Sequence, residues 1–334
     1  MRTVGVEEEL LLVDASEGRP RSVAERILQS PEAEPGLQAD TEPGGSLDNE
    51  LQQQQLETHT PPRTEMAELD ADIREWRDKA IAAARREGAR VLATGTSPMR
   101  AEPNVVHNAR FEQMVEHFGI TTSEHLTCGC HVHVSVQSED EGVGVLDRIR
   151  IWLPSLLAIS ANSPFWQGVD TRYSSFRSQA MIRWPTAGPN NVFGSADNYR
   201  RLVADMLGSG VILDEGMVYF DARLSHRYPT VEIRAADVCL DARDTVLIAA
   251  LCRGLVETAA TQRNAGAAVP SMATSMLRLA TWQAGRHGLE GDLLDPITCR
   301  PRPAADVIGQ MIEHIRSALS LDPPIGREAE VLGR

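Results

Sequence analysis

The sequence is almost without lysine. Lys79 is the only lysine among 33 basic residues in 334, so the other 32 are arginine. A P-loop requires a lysine after its glycines, and a Schiff-base enzyme requires a catalytic lysine. Lys79 lies in a charged, helix-like stretch with no glycine-rich loop before it. Both classes are therefore excluded, and arginine, metal ions or backbone amides must bind any phosphate or carboxylate.

Other features are scarce or missing. Aromatic residues make up only 4% of the chain, so the core must be aliphatic. The five cysteines form no CxxC pair, which disfavours structural zinc and indicates free thiols. No apolar run suits a membrane span, the N-terminus is unlike a signal peptide, and the net charge of −14 disfavours nucleic-acid binding. We expect a cytoplasmic protein without membrane or nucleic-acid partners.

Hydrophobic periodicity predicts mixed helices and strands. Helices are predicted from Met66 to Gly88, over 145–161, from a Ser195 cap to about Leu207, and over 242–264 and 303–320. Strands are predicted over Thr3–Val13, Arg90–Ala93, Gly129–Val136, Met217–Leu224 and Thr230–Ala235, and loops over 31–49, 98–104 and 184–195. Without a regular βαβ rhythm or a GxGxxG motif, an α+β fold with a largely antiparallel sheet fits best. No linker divides the chain, so residues 1–334 are predicted to form a single domain.

The first strand carries three consecutive glutamates. Side chains alternate between the faces of a strand, so Glu7 and Glu9 project together and Glu8 points the other way. Two adjacent carboxylates repel each other unless a cation lies between them. A solvated edge strand is the alternative. The apolar run over residues 10–13 favours a strand that enters a core, and hence the cation.

A second acidic segment has Glu50 and Glu57 on either side of four glutamines. On a helix, residues 50, 53, 54 and 57 would share a face, whereas on a strand residues 53, 55 and 57 would do so. An exposed polar stretch explains this segment equally simply when it is taken by itself.

Two further strands place polar pairs on one face. His131 and His133 project together, and imidazole binds divalent metal, hydrogen-bonds phosphate or acts as an acid–base group; buried core histidines are the alternative. Glu232 and Arg234 suit a metal and a phosphate, or form a surface ion pair. Four such segments on one sheet favour a shared site, and carboxylates with one imidazole suit Mg²⁺ or Mn²⁺. Further candidates, for binding substrate, are Arg172, Arg177 and Arg183, which flank Tyr173 and precede the 184–195 loop.

Seven segments together, in this order, resemble the glutamate–cysteine ligase type 2 family of carboxylate–amine ligases, within the glutamine-synthetase-like superfamily. They are GVEEELLLVD (5–14), ELQQQQLETHTPP (50–62), ATGTSP (93–98), GCHVHVSV (129–136), LPSLLAISANSPFWQGVDTRYSSFR (153–177), PTAGP (185–189) and PTVEIRAADV (229–238). The resemblance implies a glutamine-synthetase-like catalytic domain, with a curved, mainly antiparallel sheet whose concave face binds ATP through Mg²⁺ ions.

The resemblance also implies residue roles. It assigns as metal ligands Glu7, Glu9, Glu50, Glu57, His131 and Glu232, with Glu57 on a strand. Arg234 is similar to the arginine that contacts the phosphate or acyl phosphate, and His133 shares its face as a further catalytic candidate. The segment that is similar to the substrate-binding loop contains Arg172, Tyr173, Ser175 and Arg177.

The implied activity is ATP-dependent amide-bond formation. ATP would convert a carboxylate, by resemblance the γ-carboxyl of glutamate, into an acyl phosphate, which an amine such as cysteine would attack. The alternatives are a phosphotransferase of the same superfamily, a metal-dependent hydrolase and a catalytically silent binding protein. The partners expected are the small-molecule acid and amine, and the resemblance also suggests a homodimer.

Overall fold

The computed structural model describes residues 1–29 and 44–319. The strands in these residues are β1 (Val4–Asp14), β2 (Ser46–Asn49), β3 (Gln55–His59), β4 (Ala89–Leu92), β5 (Gly129–Ser135), β6 (Phe165–Trp166), β7 (Val169–Asp170), β8 (Ala222–Leu224), β9 (Thr230–Asp237), β10 (Asp292–Leu294) and β11 (Pro301–Pro303). The helices are α1 (Ala24–Gln29), α2 (Met66–Arg86), α3 (Ala109–Phe118), α4 (Ile120–Ser123), α5 (Glu139–Ile149), α6 (Leu153–Ser160), α7 (Arg177–Met181), α8 (Ala196–Gly208), α9 (Ala242–Asn264), α10 (Thr274–His287) and α11 (Ala304–Leu319). None of these helices combines the length and hydropathy that a membrane crossing requires.

A seven-stranded antiparallel sheet organises the molecule. Its strand order is β2-β3-β1-β5-β9-β8, and β4 also pairs with β1. The strand β1 is central because it pairs with β3 on one side and with both β4 and β5 on the other. The predicted α+β class with an antiparallel sheet packed with helices is confirmed.

One face of the sheet is apolar and packs against helices. Val6 of β1 and Val132 of β5 point to this face, and their side chains join the largest buried cluster together with α9. Glu8 points the same way, as predicted, and lies in an ion pair with Arg77 of α2 at 2.7 Å, where the hydroxyl of Thr245 also donates to it at 2.6 Å. Because side chains alternate along a strand, Glu7, which lies between Val6 and Glu8, faces the opposite, polar side of the sheet.

Most predicted elements are present with bounds near those expected, including α2, α8, α9 and α11. The side chain of Ser195 caps α8 by accepting from the backbone N–H of Asn198. The single helix predicted over 145–161 was wrong, because two helices, α5 and α6, occupy this region. Pro154 explains the break: it has no N–H to donate to the carbonyl of Arg150, and its ring would clash with that carbonyl in a continuous helix.

Two other predictions need correction. The loop predicted over 31–49 is wrong at its end, because Ser46–Asn49 forms β2 and pairs with β3, while residues 31–43 lie outside the described residues. The strand predicted over Met217–Leu224 is shorter, because Met217 ends a 3₁₀ turn and ladder pairing with β9 begins at Ala222. The small hairpins β6–β7 and β10–β11 were not predicted.

Candidate functional site

A row of acidic and imidazole side chains crosses the polar face of the sheet. The register places Glu7 of β1 opposite His131 of β5. Glu9 lies opposite Glu57 of β3, and His133 lies opposite Glu232 of β9. Residues of one parity therefore converge from four neighbouring strands, because side chains alternate along each strand.

Two groups within this row have the spacing of metal ligands. One contains Glu7, His131 and Glu232, and the other contains Glu9, Glu57 and His131. In each group, one ligand atom from every residue lies within 4.8 Å of the others. Carboxylate oxygens suit Mg²⁺, and neutral imidazole is a common ligand of divalent metals. The donor set therefore fits the cation that the sequence predicts, although the ligand roles themselves stay predictions.

His131 is the residue common to both groups, and its state suits a ligand. Only 2% of its surface is exposed, and its Nε2 atom has no hydrogen-bond partner in the described structure. Burial and the positive charge of Arg234 lower its pKa to about 4. The imidazole is therefore neutral at pH 7, and its single nitrogen lone pair suits a cation in one of the two groups at a time.

The carboxylates beside His131 crowd one another. Burial raises the pKa of Glu9. Burial, followed by the negative charges of Glu57 and Glu9, raises the pKa of Glu50 well above its usual value. Glu50 lies between β2 and β3, near enough to Glu57 and Glu9 for their charges to affect it, but it belongs to neither ligand group among the described residues, and its ligand role stays a prediction. A divalent cation would offset this repulsion.

Glu7 is in a different electrostatic environment. Burial opposes its ionisation, but His133, His131 and His59 together lower its pKa well below the usual value. The Oε1 atom of Glu7 lies 3.1 Å from Nε2 of His133 and 3.4 Å from Nδ1 of His59. His133, one of the two catalytic candidates, thus contacts a candidate ligand directly.

His59 was missed by the sequence reasoning. Burial by itself would lower the pKa of His59, but the negative charges of Glu57 and Glu7 outweigh this effect and raise the pKa to about 11. The protonated ring lies within 3.4 Å of carboxylate oxygens of both residues. The signal was the alternation Glu57-Thr58-His59, which puts residues 57 and 59 on one face of a strand.

Two arginines hold Glu232 at the far side of the row. Arg223 of β8 contacts both carboxylate oxygens, at 2.7 Å and 3.1 Å, and Arg234 forms a second ion pair. Despite burial, Arg234 and Arg223 lower the pKa of Glu232. Arg223 was also missed; it lies directly opposite Glu232 in the β8–β9 pairing.

A β-bulge orients Arg234. The pairing of β5 with β9 shifts between Cys130 and Val132, so that Arg234 and Ala235 together lie opposite His131. Such bulges re-aim side chains at functional sites. The guanidinium of Arg234 lies 3.3 Å from Nδ1 of His131, and its Nε atom is buried without a partner. It is therefore placed to bind an anion beside the ligand groups.

Arg177 is a second buried guanidinium near the ligands. A Cβ atom at Gly129 would lie 2.2 Å from its NH2 atom, so only glycine permits this approach. The N–H of Gly129 also donates to Glu9 at 2.6 Å. Asp237 is fully buried and accepts hydrogen bonds from the hydroxyls of Ser163 at 2.6 Å and Ser175 at 2.9 Å. These bonds fix the segment that leads into α7, whose first residue is Arg177.

The other predicted substrate residues are placed differently. Ser175 is fully buried and supports Asp237. The side chain of Arg172 is 80% exposed, so the structure does not bring it to the row. Tyr173 accepts a hydrogen bond from Trp282, and Arg183 contacts Glu124 at 3.1 Å at the rim of a cavity.

Two cavities lie on either side of the row. The smaller, of about 230 Å³, is lined by Glu7, His59, His133 and Tyr228. The larger, of about 540 Å³, extends from Arg234 and Arg177 and has a largely apolar wall. The candidate ligands therefore separate two spaces, each of which reaches a charged group of the site.

Proteins with high sequence identity to this chain are named as ligases. The sequence profile of the family described as Glutamate-cysteine ligase family 2 matches residues 3–322. A protein of Streptomyces avermitilis, provisionally named glutamate–cysteine ligase 2-1, is 52% identical over 320 residues, covering 96% of this chain and 87% of that protein. A protein of Streptomyces coelicolor, provisionally named glutamate–cysteine ligase 2, is 50% identical over 330 residues, covering 99% and 89%.

Solved structures with low sequence identity share the fold. The glutamate–cysteine ligase of Francisella tularensis, solved in complex with AMP, matches with a TM-score of 0.63 at 12% identity, covering 99% of this chain and 80% of that chain. A bifunctional glutathione synthetase from Pasteurella multocida matches with a TM-score of 0.58 at 14% identity, covering 99% and 49%. These likenesses agree with the predicted glutamine-synthetase-like fold.

Proposed function

The chain belongs to glutamate–cysteine ligase family 2, a family of carboxylate–amine ligases, and from that premise we propose that it forms an amide bond with ATP and Mg²⁺ through an acyl phosphate. The observation that carries the proposal is the pair of ligand groups that share His131 beside the unpartnered Nε of Arg234. Carboxylates and an imidazole next to a guanidinium whose Nε is unpartnered suit a metal–nucleotide complex and its transferring phosphoryl group.

The chain's own residues would hold Mg²⁺, or Mn²⁺ in its place, at the two groups described. The carboxylate ligands would be Glu7 and Glu232 in one group and Glu9 and Glu57 in the other, with Glu50 adjacent. When bound, the cation supplies positive charge that neutralises the β- and γ-phosphates of ATP. His59, already protonated between Glu7 and Glu57, keeps these two side chains together.

Arg234 would stabilise the phosphoryl group during transfer. Its guanidinium is fixed by Glu232 and by the bulge in β9, so little reorganisation is needed as negative charge develops. A carboxylate oxygen of the acid attacks the γ-phosphorus, and ADP leaves. The amine first loses one proton of its ammonium form to solvent. Its nitrogen then bonds to the acyl carbon while the carbon–oxygen bond to phosphate breaks, and a second N–H proton leaves as the amide forms.

The two cavities suggest where each substrate binds. We assign the nucleotide to the smaller cavity, where the rings of His133 and Tyr228 lie edge to face with centroids 6.2 Å apart. The acid, for which the family name points to glutamate, and an amine such as cysteine would enter the larger cavity, which reaches Arg234 from the other side. Arg177, buried at its inner end, would contact the acid.

ADP release tests the proposal. The protein is incubated with Mg-ATP, glutamate and a panel of amines, and both ADP and amide product are measured. We expect ADP release that depends on acid and amine together. The Glu232→Gln variant should lose it, because one ligand group loses one of its two carboxylate charges, while Glu17→Gln, at an exposed residue in the turn after β1, should retain it.

Three results would contradict the proposal in different ways. Folded protein that binds ATP but releases no ADP with any acid and amine pair is not a ligase. ADP release with the acid alone, without amide, indicates a phosphotransferase. Turnover of a substrate without ATP indicates a metal-dependent hydrolase.

A further inference from the structure

The larger cavity is wide and mostly apolar. Its volume of about 540 Å³ lies within the range of roughly 300–1,000 Å³ that is typical of pockets for drug-sized ligands. The wall that leads outward from Arg234 includes Tyr219, Phe220 and Trp184. At the rim, Leu279 is 55% exposed and Trp282 is 46% exposed. Such a surface is suited to an apolar or aromatic body.

One acidic residue lines this cavity. Asp221 lines the cavity, and its carboxylate makes no hydrogen bond or ion pair with any residue in the part of the chain that the structure describes. Burial raises its pKa to about 6, against the opposing effect of Arg177. Its side chain is half-buried at the cavity wall, where a carboxylate without a protein partner would favour a cationic group of a ligand.

The backbone fixes Asp221 beside the transfer site. Its carbonyl accepts from the N–H of Arg234 at 2.9 Å, and its own N–H donates to the carbonyl of Gly188 at 3.1 Å. A cation bound by Asp221 would therefore lie next to the residue that we assign to the phosphoryl group. That is where the amine nitrogen must be held to reach the acyl carbon.

We propose that Asp221 binds the ammonium group of the acceptor amine and that this acceptor has an apolar or aromatic body, packed against Trp184, Phe220 and Trp282, in place of cysteine. The inference rests on the proposed ligase function and narrows its amine substrate class. Asp221 positions the amine, and the apolar wall selects acceptors that have an apolar body.

The test measures steady-state ADP release with glutamate and three amines: cysteine, tyramine and phenethylamine. We expect the two aromatic amines to have a higher kcat/KM than cysteine. In Asp221→Asn, KM for the aromatic amine should rise about 10- to 100-fold, the usual range for losing one charge-assisted contact, while KM for glutamate stays unchanged. The exposed Asp205→Asn change, on α8, is the matched control and should alter neither constant.

A second variant keeps the test independent of the folding of Asp221→Asn. Trp282→Ala, at the half-exposed rim, should raise KM for tyramine and phenethylamine and leave KM for cysteine unchanged. The inference is overturned if cysteine is the best acceptor, or if Asp221→Asn raises KM for glutamate, which would assign the carboxylate to the acid's own ammonium. These failures leave amide formation intact, whereas absence of ADP release with every amine would overturn the proposed function and this inference together.

Discussion

Removing the charge of either of two neighbouring glutamates on β1 should change the stability of the fold in opposite ways. Glu8 and Glu9 are both almost fully buried, yet they face opposite sides of the sheet. Glu8 is paired with Arg77 under the helices, whereas Glu9 lies among the other carboxylates of the site. Glu8→Gln and Glu9→Gln are therefore a matched pair: each removes one charge from the same strand and keeps the side-chain shape.

The magnitude for Glu8 follows from its ion pair. Removing one partner of a buried pair leaves the other charge uncompensated, at a cost of about 3–5 kcal/mol. With an unfolding entropy of roughly 2.1 cal/mol/K per residue, the 334-residue chain has about 0.7 kcal/mol/K in total. Glu8→Gln should therefore lower Tm by about 4–7 °C.

For Glu9 the expected change in stability has the opposite sign. Because burial raises its pKa in the folded protein above the unfolded value, its ionised form destabilises the fold at neutral pH when no cation is bound. The glutamine oxygen can still accept the N–H of Gly129. Glu9→Gln should thus leave Tm of the metal-free protein unchanged or raise it, and abolish ADP release.

Thermal unfolding with and without Mg-ADP measures both effects. A ligand at about 100 times its Kd stabilises the folded state by about 2.7 kcal/mol, which is about 4 °C here. Wild type and Glu8→Gln should gain this increment, and Glu9→Gln should lose most of it. The reasoning is refuted if metal-free Glu9→Gln unfolds as early as Glu8→Gln, or if it keeps the full increment.

Three further predictions concern supporting residues. Gly129→Ala should push Arg177 away, lowering ADP release and, through overpacking, stability by about 1–3 kcal/mol; activity and thermal unfolding test this, and wild-type activity would contradict it. Ser195→Ala should cost about 1 kcal/mol in urea unfolding by removing the α8 cap, with activity unchanged. His59→Asn should destabilise the metal-free protein most below about pH 6.5 and progressively less towards pH 11, because the raised pKa of His59 contributes stability that is lost as pH rises; a deficit that grows with pH would contradict this.

The residues with a strict two-residue alternation could be predicted from the sequence. Glu7 and Glu9 project together because strand side chains alternate, and the same rule places His131 with His133 and Glu232 with Arg234. The apolar residues between them identify the buried face, so these faces were predictable before any contact was known.

The residues that depend on pairing between strands could not be predicted in this way. His59 reaches Glu7, and Arg223 reaches Glu232, only through the register of β3 with β1 and of β8 with β9. The bulge that orients Arg234 leaves no mark in its own sequence. By contrast, the break before α6 was predictable, because Pro154 cannot continue a helix.

Oxygen transfer from the acid to phosphate tests the central claim most directly. Glutamate labelled with ¹⁸O in its γ-carboxylate is incubated with the protein, Mg-ATP and the amine from the panel that gives the most ADP release, and the released phosphate is analysed by mass spectrometry. If a γ-glutamyl phosphate forms and an amine displaces its phosphate, one ¹⁸O atom appears in each phosphate, in step with the amide. Amide formation with unlabelled phosphate would contradict the acyl-phosphate mechanism, and phosphate release without amide would contradict the ligase assignment.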